Sequence, residues 1–294
     1  MDTRTFDEIY ADVPPHQREA LAQFRKNHPP RTITYKGVKW EYVVSGDKNH
    51  APLLLLVGGL RVADAAYENI PMLADEFYVI APTYPSVQTM RELVDGFSAI
   101  LDTEGISKAH VLGGSMGGML AQVFVRQHPK WVDKLIISTT TLPNVEYAHR
   151  YLTALDMMLP LPDEEAMNGA KAWMIETIDP SDEQALITRA FVDELYSQRL
   201  TKADLVSTQK CLVDFHTNYH FTPQDLAHWT GHIYVLESDD DATFDEVVRA
   251  KVRELYPDAV HYVFHGAGHS PATTQRDLYF QVVKGFLHGI SHTS

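Results

Sequence analysis

The sequence predicts an α/β fold: a mostly parallel central sheet flanked by helices, with a helical lid inserted late in the chain. Three observations lead to it. Short apolar runs recur along the chain with amphipathic stretches between them, the alternation that builds a parallel sheet covered on both faces. One run, Pro52 to Val57 (PLLLLV), is apolar at every position, as a central strand buried on both faces must be. The alternation then stops between 143 and 229, where helical patterns follow one another without a convincing strand.

The elements follow in order. Residues 7–27 have the spacing of a short amphipathic helix that ends before His28-Pro29-Pro30. Residues 32–36 and 38–45 alternate apolar and polar side chains, which predicts two antiparallel strands joined near Gly37. Gly58-Gly59 stops the run at 52–57, and 77–81 (FYVIA) is the next strand. Met90, Leu93, Val94, Phe97, Ile100 and Leu101 mark one face of a helix from about Thr89 to Glu104. A strand at 109–112 leads into a helix at 116–128, stopped by Pro129, and 134–138 is again a strand. After Gly231 the pattern resumes: strand 232–237, helix 244–255, strand 259–264, helix 275–288. The chain therefore divides into a core of residues 1–142 and 230–294 and a lid of residues 143–229. Residues 1–30 form an N-terminal helical extension of the core.

Composition narrows the function. The chain has 294 residues, 39 acidic against 25 basic, for a formal net charge of −14. Such a surface repels phosphate backbones, so no nucleic-acid partner is expected. The longest apolar run is far short of the roughly 20 residues of a membrane span, and the N-terminus lacks a signal-peptide pattern. A cytoplasmic protein is expected. The single cysteine, Cys211, allows no intramolecular disulfide and reads as a packed core thiol. No dinucleotide fingerprint, P-loop or metal-binding His spacing is present, so neither cofactor nor metal is expected.

The chemistry is carried by Gly113-Gly114-Ser115-Met116-Gly117, of the form G-x-S-x-G. The bare string arises by chance in roughly one chain in ten of this length, so its setting decides. It follows the strand at 109–112 and opens a helix, the strand–turn–helix context of a nucleophile elbow. A serine there has strained backbone angles, and neighbouring backbone comes so close that Gly113 and Gly117 must lack a side chain. The turn lifts the Ser115 hydroxyl to a helix N-terminus, where free N–H groups favour a developing oxyanion.

These features resemble the α/β-hydrolase superfamily across nearly the whole chain, the lid being least similar. Val111 to Gln122 (VLGGSMGGMLAQ) is similar to esterases, carbon–carbon hydrolases and acyltransferases of that group, and the GGSMGG string resembles homoserine acetyltransferases. The resemblance implies the order serine, acid, histidine. His269, in the loop Gly266-Ala267-Gly268-His269 after the last strand, matches the family's histidine; His265 lies nearer the strand and is the weaker candidate. The acid falls in Glu237-Ser238-Asp239-Asp240-Asp241. Family members commonly place a glycine three residues before the acid; Ser238 occupies that place here and points to Asp241, with Asp240 next. Thr243 and Glu246 form a capping box for the following helix and leave Asp241 free.

The resemblance also implies an oxyanion hole made by the N–H of Met116 and an N–H from Gly58-Gly59-Leu60, with Gly59 preferred to Leu60. Val57 departs from the His-Gly of many relatives, at no cost to a backbone donor. Arg61 either faces the site or lies exposed. Met157, Met158, Trp173, Met174, Phe191 and Phe215 line an apolar acyl pocket or form lid core. The implied activity is a serine hydrolase acting on a carboxylic ester or similar acyl bond of a small molecule. Acyl transfer or carbon–carbon hydrolysis on the same residues is the alternative. The stretch from Tyr84-Pro85 to Gln122 is similar to the maspardin family, which keeps open a different class: a non-catalytic hydrolase-fold binding protein.

Overall fold

The computed structural model describes residues 2–180 and 182–289; residues 290–294 of the second core segment lie outside it. Eight strands form one sheet: β1 (Arg31–Tyr35), β2 (Val38–Ser45), β3 (Ala51–Leu56), β4 (Phe77–Thr83), β5 (Ala109–Gly114), β6 (Val132–Ser138), β7 (His232–Ser238) and β8 (Val260–Phe264). Their order is β1-β2-β4-β3-β5-β6-β7-β8. The β1–β2 and β2–β4 pairs are antiparallel and the rest parallel. Lys36 and Gly37 both have positive φ, which gives the tight turn the first hairpin needs.

Twelve α-helices are described: α1 (Phe6–Ile9), α2 (Pro15–Asn27), α3 (Asn69–Ala74), α4 (Met90–Thr103), α5 (Met116–Gln127), α6 (Val145–Met158), α7 (Asp163–Glu176), α8 (Ala185–Glu194), α9 (Lys202–Asn218), α10 (Glu246–Leu255), α11 (Pro271–Thr274) and α12 (Arg276–Leu287). β3 runs apolar on both faces and four of its leucines are buried, so it sits at the sheet centre. α4 lays Met90, Leu93, Val94, Phe97, Ile100 and Leu101 into the core, as the spacing predicts. Thr89 caps it by accepting from the Glu92 N–H.

Two expectations at element ends are corrected. The single helix read over 7–27 is two, α1 and α2, separated at residues 10–14, because Pro14 and Pro15 cannot continue a helix from the N-terminal side. The capping box of Thr243 and Glu246 does not form. α10 starts at Glu246, and Asp245 caps it by accepting from the Val248 N–H.

Between β6 and β7 every described element is helical: α6 to α9, with a π-helical turn at Leu195–Arg199 and a short 3-10 turn at Pro223–Leu226. This insertion is tied to the C-terminal ends of the strands. The Arg61 guanidinium, from the turn after β3, donates to the carbonyls of Tyr84 and Pro85 at 3.0 and 2.9 Å. It also donates to the Asp204 carbonyl and Thr208 hydroxyl on α9. Asp214 of α9 accepts from the Met90 N–H at 2.9 Å. The N-terminal helices clasp the same insertion: Tyr10 and Arg25 both donate to Glu194 of α8. Cys211 is buried against the Val87 carbonyl, and burial pushes its thiol up to about 12, which suits packing and not nucleophilic attack.

Candidate active site

The strand order reverses between β3 and β5: β4 lies on one side of β3, and β5 to β8 run away on the other. Open parallel sheets bind ligands at the carboxyl ends of their strands at such a switch point. Gly58-Gly59 leaves β3 there and Ser115 leaves β5.

Ser115 has φ 52° and ψ −123°, a strained turn between β5 and α5. The glycines permit it by close approach. A Cβ on Gly113 would sit 2.2 Å from the Gly117 carbonyl oxygen, and one on Gly117 2.1 Å from that of Leu56. The Ser115 N–H donates to the Ser138 carbonyl at 3.0 Å. The Thr140 hydroxyl donates to the Ser115 carbonyl at 2.8 Å. Strand β6 thus holds the turn from one side.

His269 follows β8. Its Nε2 lies 3.1 Å from Ser115 Oγ, and its Nδ1 lies 2.9 and 3.1 Å from the two Asp241 oxygens. Asp241 is buried and also accepts from the N–H groups of Thr243 and Phe244 at 2.8 and 3.2 Å. It therefore both organises the turn before α10 and orients the imidazole. Burial works to raise its pKa, but the hydrogen bond and charge of His269 and the two amides outweigh that, and the carboxyl is held below its usual value. Phe244 packs edge-on against the imidazole, 5.3 Å between centroids.

The neighbouring acids have other work. Asp240 accepts from the Ser238 hydroxyl and from the Gly268 N–H, both at 2.7 Å. Asp239 accepts from His265 Nδ1 at 2.6 Å and from the Gly266 N–H at 2.9 Å. Three adjacent carboxylates are thereby separated, two bracing the His269 loop and one reaching the imidazole. His265 is exposed and pairs with Asp239, away from Ser115.

A cavity of about 230 Å³ opens over Ser115, lined by the β3 exit from Leu55 to Leu60, by Thr139 and His269, and by Pro271, Tyr279 and Phe280. Of the two expected oxyanion donors, Gly59 lines the cavity, and Met116, next to Ser115, is the buried first residue of α5 and is not in the lining. The N–H of such a first residue has no partner within its helix.

None of Met157, Met158, Trp173, Met174, Phe191 and Phe215 lines this cavity. Of the two readings, lid core holds for Phe191 and Phe215, packed in the core, and for Met158 and Met174, partly buried against it, while Met157 and Trp173 are exposed and fit neither. Arg61 is neither exposed nor in the cavity, being buried in the clamp on α9. Sequence reasoning missed Thr140 and Gln122. The Gln122 side chain donates to the Thr141 carbonyl at 3.0 Å. The Thr139-Thr140-Thr141 run after a predicted strand was the available signal.

A family model described as the alpha/beta hydrolase family matches residues 53–282, and the chain belongs to that family. Over 272 residues the chain is 24% identical to maspardin from Danio rerio, covering 87% of this chain and 81% of the relative. Among solved structures it is similar to an enol-lactonase from Burkholderia xenovorans (TM-score 0.72, 15% identity, 88% of this chain and 100% of the other). It is also similar to a carboxylesterase from Bacillus subtilis (TM-score 0.69, 21% identity, 92% and 96%). At these identities the structural matches establish the fold alone.

Proposed function

We propose that the protein is a serine hydrolase that cleaves a carboxylic ester or similar acyl bond of a small molecule through a covalent acyl-Ser115 intermediate. The observation that supports this best is the unbroken line Ser115 Oγ, His269 Nε2, His269 Nδ1, Asp241, at 3.1 and 2.9 Å. A serine hydroxyl needs a base to become a useful nucleophile, and the base needs a partner to fix its tautomer. Asp241 keeps the proton on Nδ1 and stabilises the imidazolium. Nε2 takes the Ser115 proton as Oγ attacks the carbonyl carbon, then gives it to the leaving group. The amides of Met116 and Gly59 hold the oxyanion, each such donor contributing about 3 kcal/mol. In the second half, water attacks the acyl carbon and His269 returns the proton to Ser115.

The cavity favours a short acyl group. At about 230 Å³ it lies below the usual span of drug-sized pockets, roughly 300–1,000 Å³, and most of its walls are apolar. The helices α6 to α9, of which Arg61 clamps α9 to the strand ends, act as the lid. Acyl transfer and carbon–carbon hydrolysis would use the same three residues and differ in what occupies the leaving-group side.

A panel of p-nitrophenyl esters from acetate to decanoate tests this reading. Turnover should be highest for the short acyl chains and vanish in Ser115→Ala. No turnover of any ester by folded protein would favour the non-catalytic binding role; equal turnover by Ser115→Ala would remove Ser115 from the chemistry.

A further inference from the structure

Four non-glycine residues have positive φ among the described residues: Lys36, Arg61, Ser115 and Thr139. Lys36 belongs to the first hairpin. The other three stand at the C-terminal ends of β3, β5 and β6, neighbouring strands around the cavity. Arg61 clamps α9 and Ser115 is the nucleophile of the proposed reaction. Thr139, at φ 38°, has no such employment. A β-branched residue is the most disfavoured kind in this region, and a conformation so disfavoured persists only where its surroundings impose it.

The surroundings do impose it. The Thr139 N–H donates to the Leu236 carbonyl at 2.8 Å, and the residue before it accepts the Ser115 N–H. Thr140 and Thr141 spend their hydroxyls on the carbonyls of Ser115 and Leu142. The Thr139 hydroxyl makes no hydrogen bond among the described residues, and Thr139 lines the cavity with Ser115 and His269. The sheet order fixes its side. The β3 exit, with the Gly59 donor, lies on one flank of Ser115, and Thr139 on the other, toward Asp241 and His269. That flank is where a leaving group departs and where the deacylating nucleophile enters.

We propose that Thr139 is a positioning residue for the acyl acceptor. Its hydroxyl holds a small hydroxyl nucleophile, water in hydrolysis, beside His269 Nε2 for attack on acyl-Ser115. The inference rests on the proposed acyl-Ser115 mechanism and deepens it. In the step concerned, the water oxygen bonds to the acyl carbon while Nε2 takes one water proton. The carbon–Ser115 oxygen bond then breaks, and that proton passes from Nε2 to Ser115 Oγ.

The test is stopped-flow hydrolysis of p-nitrophenyl acetate, whose activated leaving group needs little help from an acid, with intact mass to follow acetyl-enzyme. Thr139→Val should keep the nitrophenol burst within about twofold while steady-state turnover falls about tenfold, the effect of losing one hydrogen bond. Acetyl-enzyme should accumulate. Thr139→Ser should restore turnover. Thr139→Gly, which relieves the backbone strain, should melt no lower than wild type yet turn over as slowly as Thr139→Val. Unchanged turnover in Thr139→Val, or equal loss of burst and steady state, overturns the positioning role alone. Ester turnover that persists undiminished in Ser115→Ala overturns the mechanism beneath it.

Discussion

At the scale of single residues, the separation of roles among neighbouring acids is what makes the site specific. Asp241→Asn preserves the shape of the turn but lets the imidazole adopt the wrong tautomer, so kcat for ester hydrolysis should fall about 10⁴-fold. Asp240→Asn and His265→Ala touch only the bracing of the loop, and each should change kcat less than about tenfold. Steady-state kinetics on one ester checks all three. The sequence makes Ser115 legible because the elbow needs glycine on both sides and a strand before it. His269 is legible from its glycine-rich loop. In the sequence the choice of Asp241 over Asp240 rests on spacing and on a capping box that does not form. In the fold it rests on partners: Asp240 is turned to Ser238 and Gly268, and Asp241 to His269. Thr140 is illegible because its hydrogen bond to Ser115 joins residues that follow different strands, β6 and β5.

At the scale of elements, the elbow and helix α9 carry the expectations. Gly113→Ala and Gly117→Ala each place a methyl against backbone that cannot yield. Either should destabilise the protein by about 3 kcal/mol and abolish turnover, as urea unfolding and ester kinetics would record. In α9, His216 is buried, stacks on Tyr151 and accepts the Asn144 N–H through Nδ1 at 3.1 Å, tying α9 to the start of α6. Burial pushes its pKa down to about 4. The unfolded chain binds that proton near pH 6.5, so His216 contributes stability fully above about 6.5 and loses it as pH falls toward 4. Between those limits the loss should approach about 3 kcal/mol, and His216→Phe should flatten it. Urea unfolding at pH 7 and pH 4.5 measures the difference. Helical periodicity reveals that α6 to α9 are amphipathic but not what each face meets. Trp173 and Met157 face solvent and Phe215 faces the core at the same kind of spacing. A cavity wall and a helix–helix seam look alike in one dimension.

At the scale of the whole molecule, the insertion and the sheet share one core. Phe191, Leu212 and Phe215 of the insertion pack in the same buried cluster as the central strands. Thermal unfolding should accordingly be one cooperative transition by calorimetry; two resolved transitions would show the insertion folding by itself. Arg61 joins the two parts. Arg61→Ala leaves several buried carbonyls without donors and should cost about 3 kcal/mol. Faster hydrogen exchange in 202–218 should accompany the loss. Arg61→Lys should recover little of it, since an ammonium cannot reproduce the planar fork. The alternation of strands and helices makes the architecture legible; the clamp is not, because Arg61 and Asp204 lie far apart in the chain. The most direct test of the central claim is labelling with a small fluorophosphonate, followed by intact mass and peptide mapping on wild type, Ser115→Ala and His269→Ala. Stoichiometric label on Ser115, absent in the first variant and strongly slowed in the second, is the expected result. Folded wild-type protein that takes no label from even the smallest phosphonate would contradict an activated serine at this site.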